Sequence, residues 1–332
     1  MQLKLPPMPG KRSRSASHAD ESMIEKIHYH GWVNAWRLSN GTVELIVLAD
    51  VGPRIVHYGF CGHENVFYEA AGDRGLSGGD EFRLYGGHRL WVWPEVARTY
   101  FPDNLAVTVS QEENGVRFRA SIEDSAPGTR LEKEFVIALD ADGTQVRIAH
   151  AVTNWSAEAT ELAVWCPTMM RPGGCAILPL PPRAAMDADH FHSVGPMTLW
   201  SFTDLKDPRW IFGTDFIQLL QASNPQSRFS EQMSGIFNPA GWGAYYSRNV
   251  LFIKSAAPVE GARYPDFGCN FEIFTNPEFL ELETLSPIVN LAPGESASHT
   301  ETWALFGDVP AGNDDAWIRS TVSPRAASLS QA

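Results

Sequence analysis

The chain has 332 residues, 44% of them hydrophobic, which suffices for one large all-β domain or two ordinary ones. A formal net charge of −13, with no clustered basic stripe to offset it, argues against nucleic acid as a partner. No apolar run approaches the roughly 18 residues of a membrane-crossing helix, so no membrane association is expected. The four cysteines, Cys61, Cys166, Cys175 and Cys269, have neither zinc nor redox spacing and read as reduced thiols of a cytoplasmic protein.

In chain order, residues 1–22 come first. They carry a basic, serine-rich run (KRSRSASH) without the apolar stretch of a signal peptide, and disorder is expected there. Short β-rich runs follow, separated by Gly, Pro and Asn turn signals: 43–49, 54–59, 106–110, 116–121, 130–139, 145–153, 161–167, 216–221, 242–246, 251–255 and 296–306. Some alternate cleanly: Val116, Phe118 and Ala120 face one way, Arg117, Arg119 and Ser121 the other. Helical periodicity is nearly absent. Residues 313–320 read as a helical turn or two, and the tail 311–332 as mostly disordered. The pattern predicts an all-β fold, a large antiparallel sandwich or barrel with little helix, over residues 23–310. Residues 173–241, rich in Pro, Gly and Trp, read as a long loop insertion that lids one side of a cleft.

Several polar residues stand out. In GGHRLW (86–91) two glycines precede His88 and permit a tight turn or a close approach to a ligand. His88 suits acid or base work near neutral pH. Arg89 offers a charged donor, Trp91 a stacking platform, and Glu95 a further contact. Arg54 in VGPRI is expected to point into the site. Lys254 faces away from Ile253, toward either a cleft or solvent. His190 and His192 in DADHFH (187–192) share a face if extended, but their spacing matches no zinc signature, so they read as lid contacts to substrate. No nucleophile elbow, phosphate loop or dinucleotide fingerprint is present, and neither cofactor nor metal is expected.

Residues 264–287 read as a strand, a turn at Asn276-Pro277 and a second strand. Pairing Phe274 with Phe279 sets Glu272 opposite Glu281 and Asn270 opposite Glu283. Three carboxylates and an amide then share one face. Like charges directly opposite one another destabilise a sheet. Such a face suits a polyhydroxylated ligand or a proton transfer.

Segments 41–60, 85–95 and 264–303 together resemble the galactose-mutarotase-like (aldose 1-epimerase-like) superfamily, and more narrowly a bacterial branch of it of unknown function. The resemblance spans about residues 24–308. It implies a large β-supersandwich with a sugar site on a concave sheet face. It also implies a catalytic base in a "LET" strand motif, here Glu283, which takes the anomeric hydroxyl proton while a histidine protonates the ring oxygen. The position matching that histidine falls on Cys166, which leaves His88 as the candidate acid and Glu272 as a second catalytic carboxylate. The expected protein is an aldose-epimerase-like isomerase, monomer or homodimer, acting on a small carbohydrate. A carbon–oxygen lyase or glycoside hydrolase using His88 and the glutamates is an alternative. So is a non-catalytic sugar-binding protein.

Overall fold

Two antiparallel sheets dominate the computed structural model, which describes residues 23–126 and 128–329. The disorder expected for residues 1–22 lies outside the described residues. The first sheet has twelve strands. Its central run is Arg54–Phe60, His88–Arg89, Thr160–Met170, Leu280–Leu285, Phe271–Thr275 and Gln232–Ile236, in that order. The second sheet has eleven, with Trp242–Ser247, Val250–Ser255, Ser296–Phe306, Val146–Asn154 and Thr129–Leu139 at its centre. This is the all-β sandwich that the turn-punctuated strand pattern predicts.

Alternation builds the core. Along Thr129–Leu139, Leu131, Phe135 and Ile137 are buried between the sheets while Glu132 and Glu134 are less covered. Phe271, Ile273 and Leu282 of the first sheet meet the second sheet from the other side. Tyr58, Phe67, Phe252 and Trp303 pack their rings across the gap with centroids 5.5–6.1 Å apart. Burying each such side chain contributes roughly 1.5–3 kcal/mol.

The β-rich runs all form strands, with ends within three residues of those expected. Residues 173–241 are more regular than a long loop. They contain Cys175–Pro179, Met197–Leu199, Trp210–Phe212, Phe216–Leu220 and Gln232–Ile236, distributed over both sheets. Of the C-terminal tail, for which mostly disorder is expected, Asp315–Trp317, Ile318–Val322 and Ser323–Leu329 form successive helical segments, and residues 330–332 lie outside the described residues. Ile318, Val322, Ala326 and Leu329 recur at helical spacing. They pack on Ile177, Leu251 and Ile253, on the outer face of the second sheet.

Candidate functional site

A cleft of about 390 Å³ lies on the first sheet's outer face. Its floor is the hairpin of Phe271–Thr275 and Leu280–Leu285. Leu280, Leu282 and Ile273 point between the sheets, so Glu281, Glu283, Glu272 and Phe274 point outward. The register differs from the expected one by two residues: Glu272 lies directly opposite Glu283, and Phe274 opposite Glu281. The reason is the turn. The Asn276 carboxamide oxygen accepts from the backbone N–H groups of Glu278 (2.8 Å) and Phe279 (2.9 Å), so residues 276–279 form the loop and Phe279 cannot pair with Phe274. A slip of two preserves the side-chain face. Asn270 falls outside the paired region. Its amide donates to the Asn238 carbonyl (3.0 Å) and accepts the Asn238 N–H (2.6 Å), closing a neighbouring turn.

Aromatic side chains wall the cleft. Trp91 stacks edge-on to Trp165 (4.9 Å) and Tyr100 (5.5 Å), and Phe82 meets Tyr100 at 5.3 Å. Trp200, Phe202 and Met233 line it from the 173–241 segment. Glu95 also lines it and accepts a hydrogen bond from the Tyr100 hydroxyl. Size alone does not single this cleft out. Hollows of about 470 Å³ beside residues 111–116 and about 540 Å³ beside His190 are larger, but neither gathers aromatic side chains. Sequence reasoning passed over Phe82, Tyr100, Trp165 and Phe202. Phe274 was legible as the residue two beyond Glu272.

The carboxyls share a strained electrostatic setting. Glu283 is 1% exposed. Its Oε2 accepts from the Trp165 indole at 2.5 Å, and among the described residues no group hydrogen-bonds its other oxygen. Burial, reinforced by neighbouring Glu281, raises its pKa well above the usual carboxylic range against the pull of the indole. Glu272 is raised likewise, by burial and then by Glu283. Gly235 faces it, and any Cβ there would sit 2.9 Å from Glu272 Cγ. Glu281 is half-buried. Burial pushes it up to about 7, with Arg89 opposing and Glu95 assisting.

Arg89 lies beneath this face, 4.8 Å from the Phe82 ring centre and 4.6 Å from that of Trp91. Arg54 is its cross-strand neighbour, and both guanidinium groups converge on Asp103. Burial, then Arg54, lowers Arg89 to about 10. Both arginines support the cleft from behind.

His88 and Lys254 are placed elsewhere, contrary to the expectation that His88 shares a pocket with Glu283. Residues 88, 90 and 92 face the core, and 89, 91 and 93 the cleft side. His88 is fully buried, hydrogen-bonded to Thr168 Oγ1 and to His150 Nε2, each at 2.8 Å. Gly86 and Gly87, at φ +96° and +70°, serve the protein's own backbone: a Cβ would sit 2.2 Å from the Tyr68 carbonyl oxygen and 2.1 Å from that of Ile55. Lys254 reaches into the same core. It pairs with Glu301 at 2.9 Å and donates to Thr168 Oγ1 (2.8 Å) and the Cys166 carbonyl (2.6 Å). Glu301 also accepts from the Trp303 indole at 2.8 Å. Cys166 faces this core too, so a histidine at that position would point away from the cleft; Trp165 and Pro167 hold the cleft side of its strand.

Among the described residues, two sets of potential metal ligands converge within 4.8 Å, His88–His150–Cys166 and Cys166–His299–Glu301, both in this core. They do not suit a metal. The Lys254 ammonium already provides the positive charge beside Glu301, and burial raises the Cys166 thiol far from its thiolate form. His190 and His192 lie in an exposed loop lining a separate hollow, where His190 bonds Asp187 at 2.8 Å.

The fold recurs in solved structures. A galactose mutarotase-like protein from Lactobacillus casei is 10% identical, with a TM-score of 0.55 over 82% of this chain and 100% of that one. The Slr1438 protein from Synechocystis is 13% identical, with a TM-score of 0.55 over 85% and 99%. A candidate aldose 1-epimerase from Klebsiella pneumoniae is 11% identical, with a TM-score of 0.56 over 92% and 86%. At these identities the likeness is one of fold: the chain has the galactose-mutarotase-like architecture. No protein-family model and no curated protein matches the sequence.

Proposed function

We propose that the cleft binds a cyclic sugar and interconverts its anomers by acid–base proton transfer, as an aldose-epimerase-like isomerase. The observation that supports this best is the trio Glu272, Glu281 and Glu283 on one sheet face, enclosed by aromatic walls. Residues two apart on a strand place their Cα atoms about 6.6 Å apart, a separation that side chains can bridge to a single pyranose ring. Environments that push two carboxyls apart in acidity assign their roles. Glu283, deeper and facing Glu272, keeps its proton longer and is the acid. Glu281, half-buried and drawn down by Arg89, is the base. This reverses the role that the resemblance gives Glu283.

In the forward direction Glu281 accepts the anomeric hydroxyl proton while Glu283 gives its proton to the ring oxygen. The bond between the anomeric carbon and the ring oxygen breaks, and an open-chain aldehyde forms. Rotation about the adjacent carbon–carbon bond and the reverse transfers close the other anomer and restore both carboxyls. Trp91 and Trp165 supply apolar faces for the ring.

Saturation-transfer NMR across common aldoses tests this. Wild type is expected to accelerate exchange, and Glu283→Gln to lower the rate by roughly 10²-fold or more while remaining folded. Because the cleft-lining side chains among the described residues include no histidine, a non-catalytic sugar-binding role is the second reading. Binding without turnover in the same screen supports it, and a cleaved product supports a lyase or hydrolase.

A further inference from the structure

We propose that the sugar this cleft selects carries a free, protonated amine. The inference rests on the sugar-binding reading above and narrows it to a chemical class. Glu95, Glu231, Glu281 and Glu283 line the cleft, and among the described residues no Lys, Arg or His side chain does. Glu272 lies directly opposite Glu283, adding a further carboxyl to the same face. The adjacent cation, Arg89, is fully buried under Phe82 and Trp91, out of the cleft lining, with one nitrogen directed to Asp103. A phosphorylated or carboxylated sugar therefore meets an acidic lining whose adjacent cation, Arg89, is buried behind aromatic rings.

Two features leave hydrogen-bonding capacity open for a ligand donor, and the acidic lining makes a charged donor the better fit. Glu283 is 1% exposed, and among the described residues one of its oxygens has no hydrogen-bond partner. The buried Oε1 of Glu272 is also without one. Buried carboxyls are normally paired. On the core side of the same sheet Lys254 pairs with Glu301 at 2.9 Å; on this side, among the described residues, no Lys, Arg or His forms an ion pair with Glu272, Glu281 or Glu283. The walls fit the same ligand. Trp91, Trp165, Tyr100 and Phe82 turn edge-to-face around one space, and rings so arranged offer π faces to an ammonium group. A metal ion is a poor alternative occupant, because the converging ligand trios of the described residues lie in the core, not here.

Titration calorimetry on the full chain tests the inference, with glucosamine, galactosamine and mannosamine as probes. The comparison ligands are the matching neutral hexoses, the N-acetyl derivatives and tetramethylammonium. At least one free amino sugar is expected to bind roughly tenfold or more tightly than its neutral and N-acetylated counterparts. That preference is expected to shrink in Glu281→Gln and, as a rim substitution that spares the floor, in Glu231→Gln. Neutral sugars binding as tightly as the amines overturn this inference and leave the sugar reading intact. Tetramethylammonium binding with no sugar bound overturns the sugar reading and leaves the cation preference standing. Binding by none of these ligands overturns both.

Discussion

The first sheet buries charge on both faces, in opposite ways. On the core face Lys254, Glu301, His88, His150, His299, Thr168 and Thr284 form a closed network in which the buried charge is paired and hydrogen-bonded. On the outer face Glu272 and Glu283 oppose each other as carboxyls that resist ionising together, with incomplete partners. A buried polar cluster that satisfies itself holds the fold together; one left unsatisfied is poised to take a ligand or a proton. The resemblance-based reading assigned His88 to catalysis, yet the histidine belongs to the closed network and the glutamates to the open one.

The comparison can be broken most sharply at Lys254. Replacing it in Lys254→Met strands Glu301 among neutral histidines, and chemical denaturation is expected to show a loss of about 3–5 kcal/mol. A loss below about 1 kcal/mol would show that the core pair is dispensable. Next comes Cys166→His. It adds volume and polarity to a packed core, so a cost of about 1–3 kcal/mol is expected, with no gain in sugar turnover. A rise in turnover would place that side chain in the cleft after all.

The two faces also differ in the sign of their pH dependence. Burial lowers His150 and His299 from 6.5 to about 3, so the unfolded chain holds the extra protons and stability falls as pH drops from about 6.5 to 3. Burial raises Glu281 from 4.5 to about 7, so the folded chain holds the extra proton and stability falls as pH rises from about 4.5 to 7. Denaturation midpoints across this range are expected to lose part of the second slope in Glu281→Gln, with Glu272 and Glu283 supplying the rest, and to keep the first. An unchanged slope in that variant would remove Glu281 from the account. A smaller effect is expected from Glu272→Gln: relief of cross-strand repulsion gains about 0.2–1 kcal/mol, where a core pair would lose stability. Smallest of all, His190→Ala and His192→Ala are expected to stay within about 0.5 kcal/mol of wild type and leave sugar binding unchanged, since both side chains lie in an exposed loop away from the cleft.

Much of the fold was legible because strands advertise themselves by alternation and turns by their residues. The missed strands are short or irregular. His88–Arg89 has two residues, and Met197–Leu199 and Trp210–Phe212 have three, too few for a period of two to register. The C-terminal helical segments were legible only as the turn or two at 313–320, and their continuation to Leu329 was missed for another reason. Their buried stripe of Ile318, Val322, Ala326 and Leu329 is diluted by Ser, Thr and Pro324, residues that usually mark loops.

Sequence by itself determined that Glu281 and Glu283 share a face, and that Glu272 joins them under any even shift of register, because a strand's side-chain period is two. It determined equally that His88 and Arg89 point in opposite directions, as do Lys254 and Ile253. Which direction is the cleft and which is the core is not a local property. That was decided only when the second sheet closed over one face of the first, bringing His150 into hydrogen-bonding reach of His88 and Lys254 into reach of Thr168, partners more than sixty residues apart along the chain. Burial and the partners it supplies, rather than residue type, separated a structural histidine from a candidate catalytic glutamate.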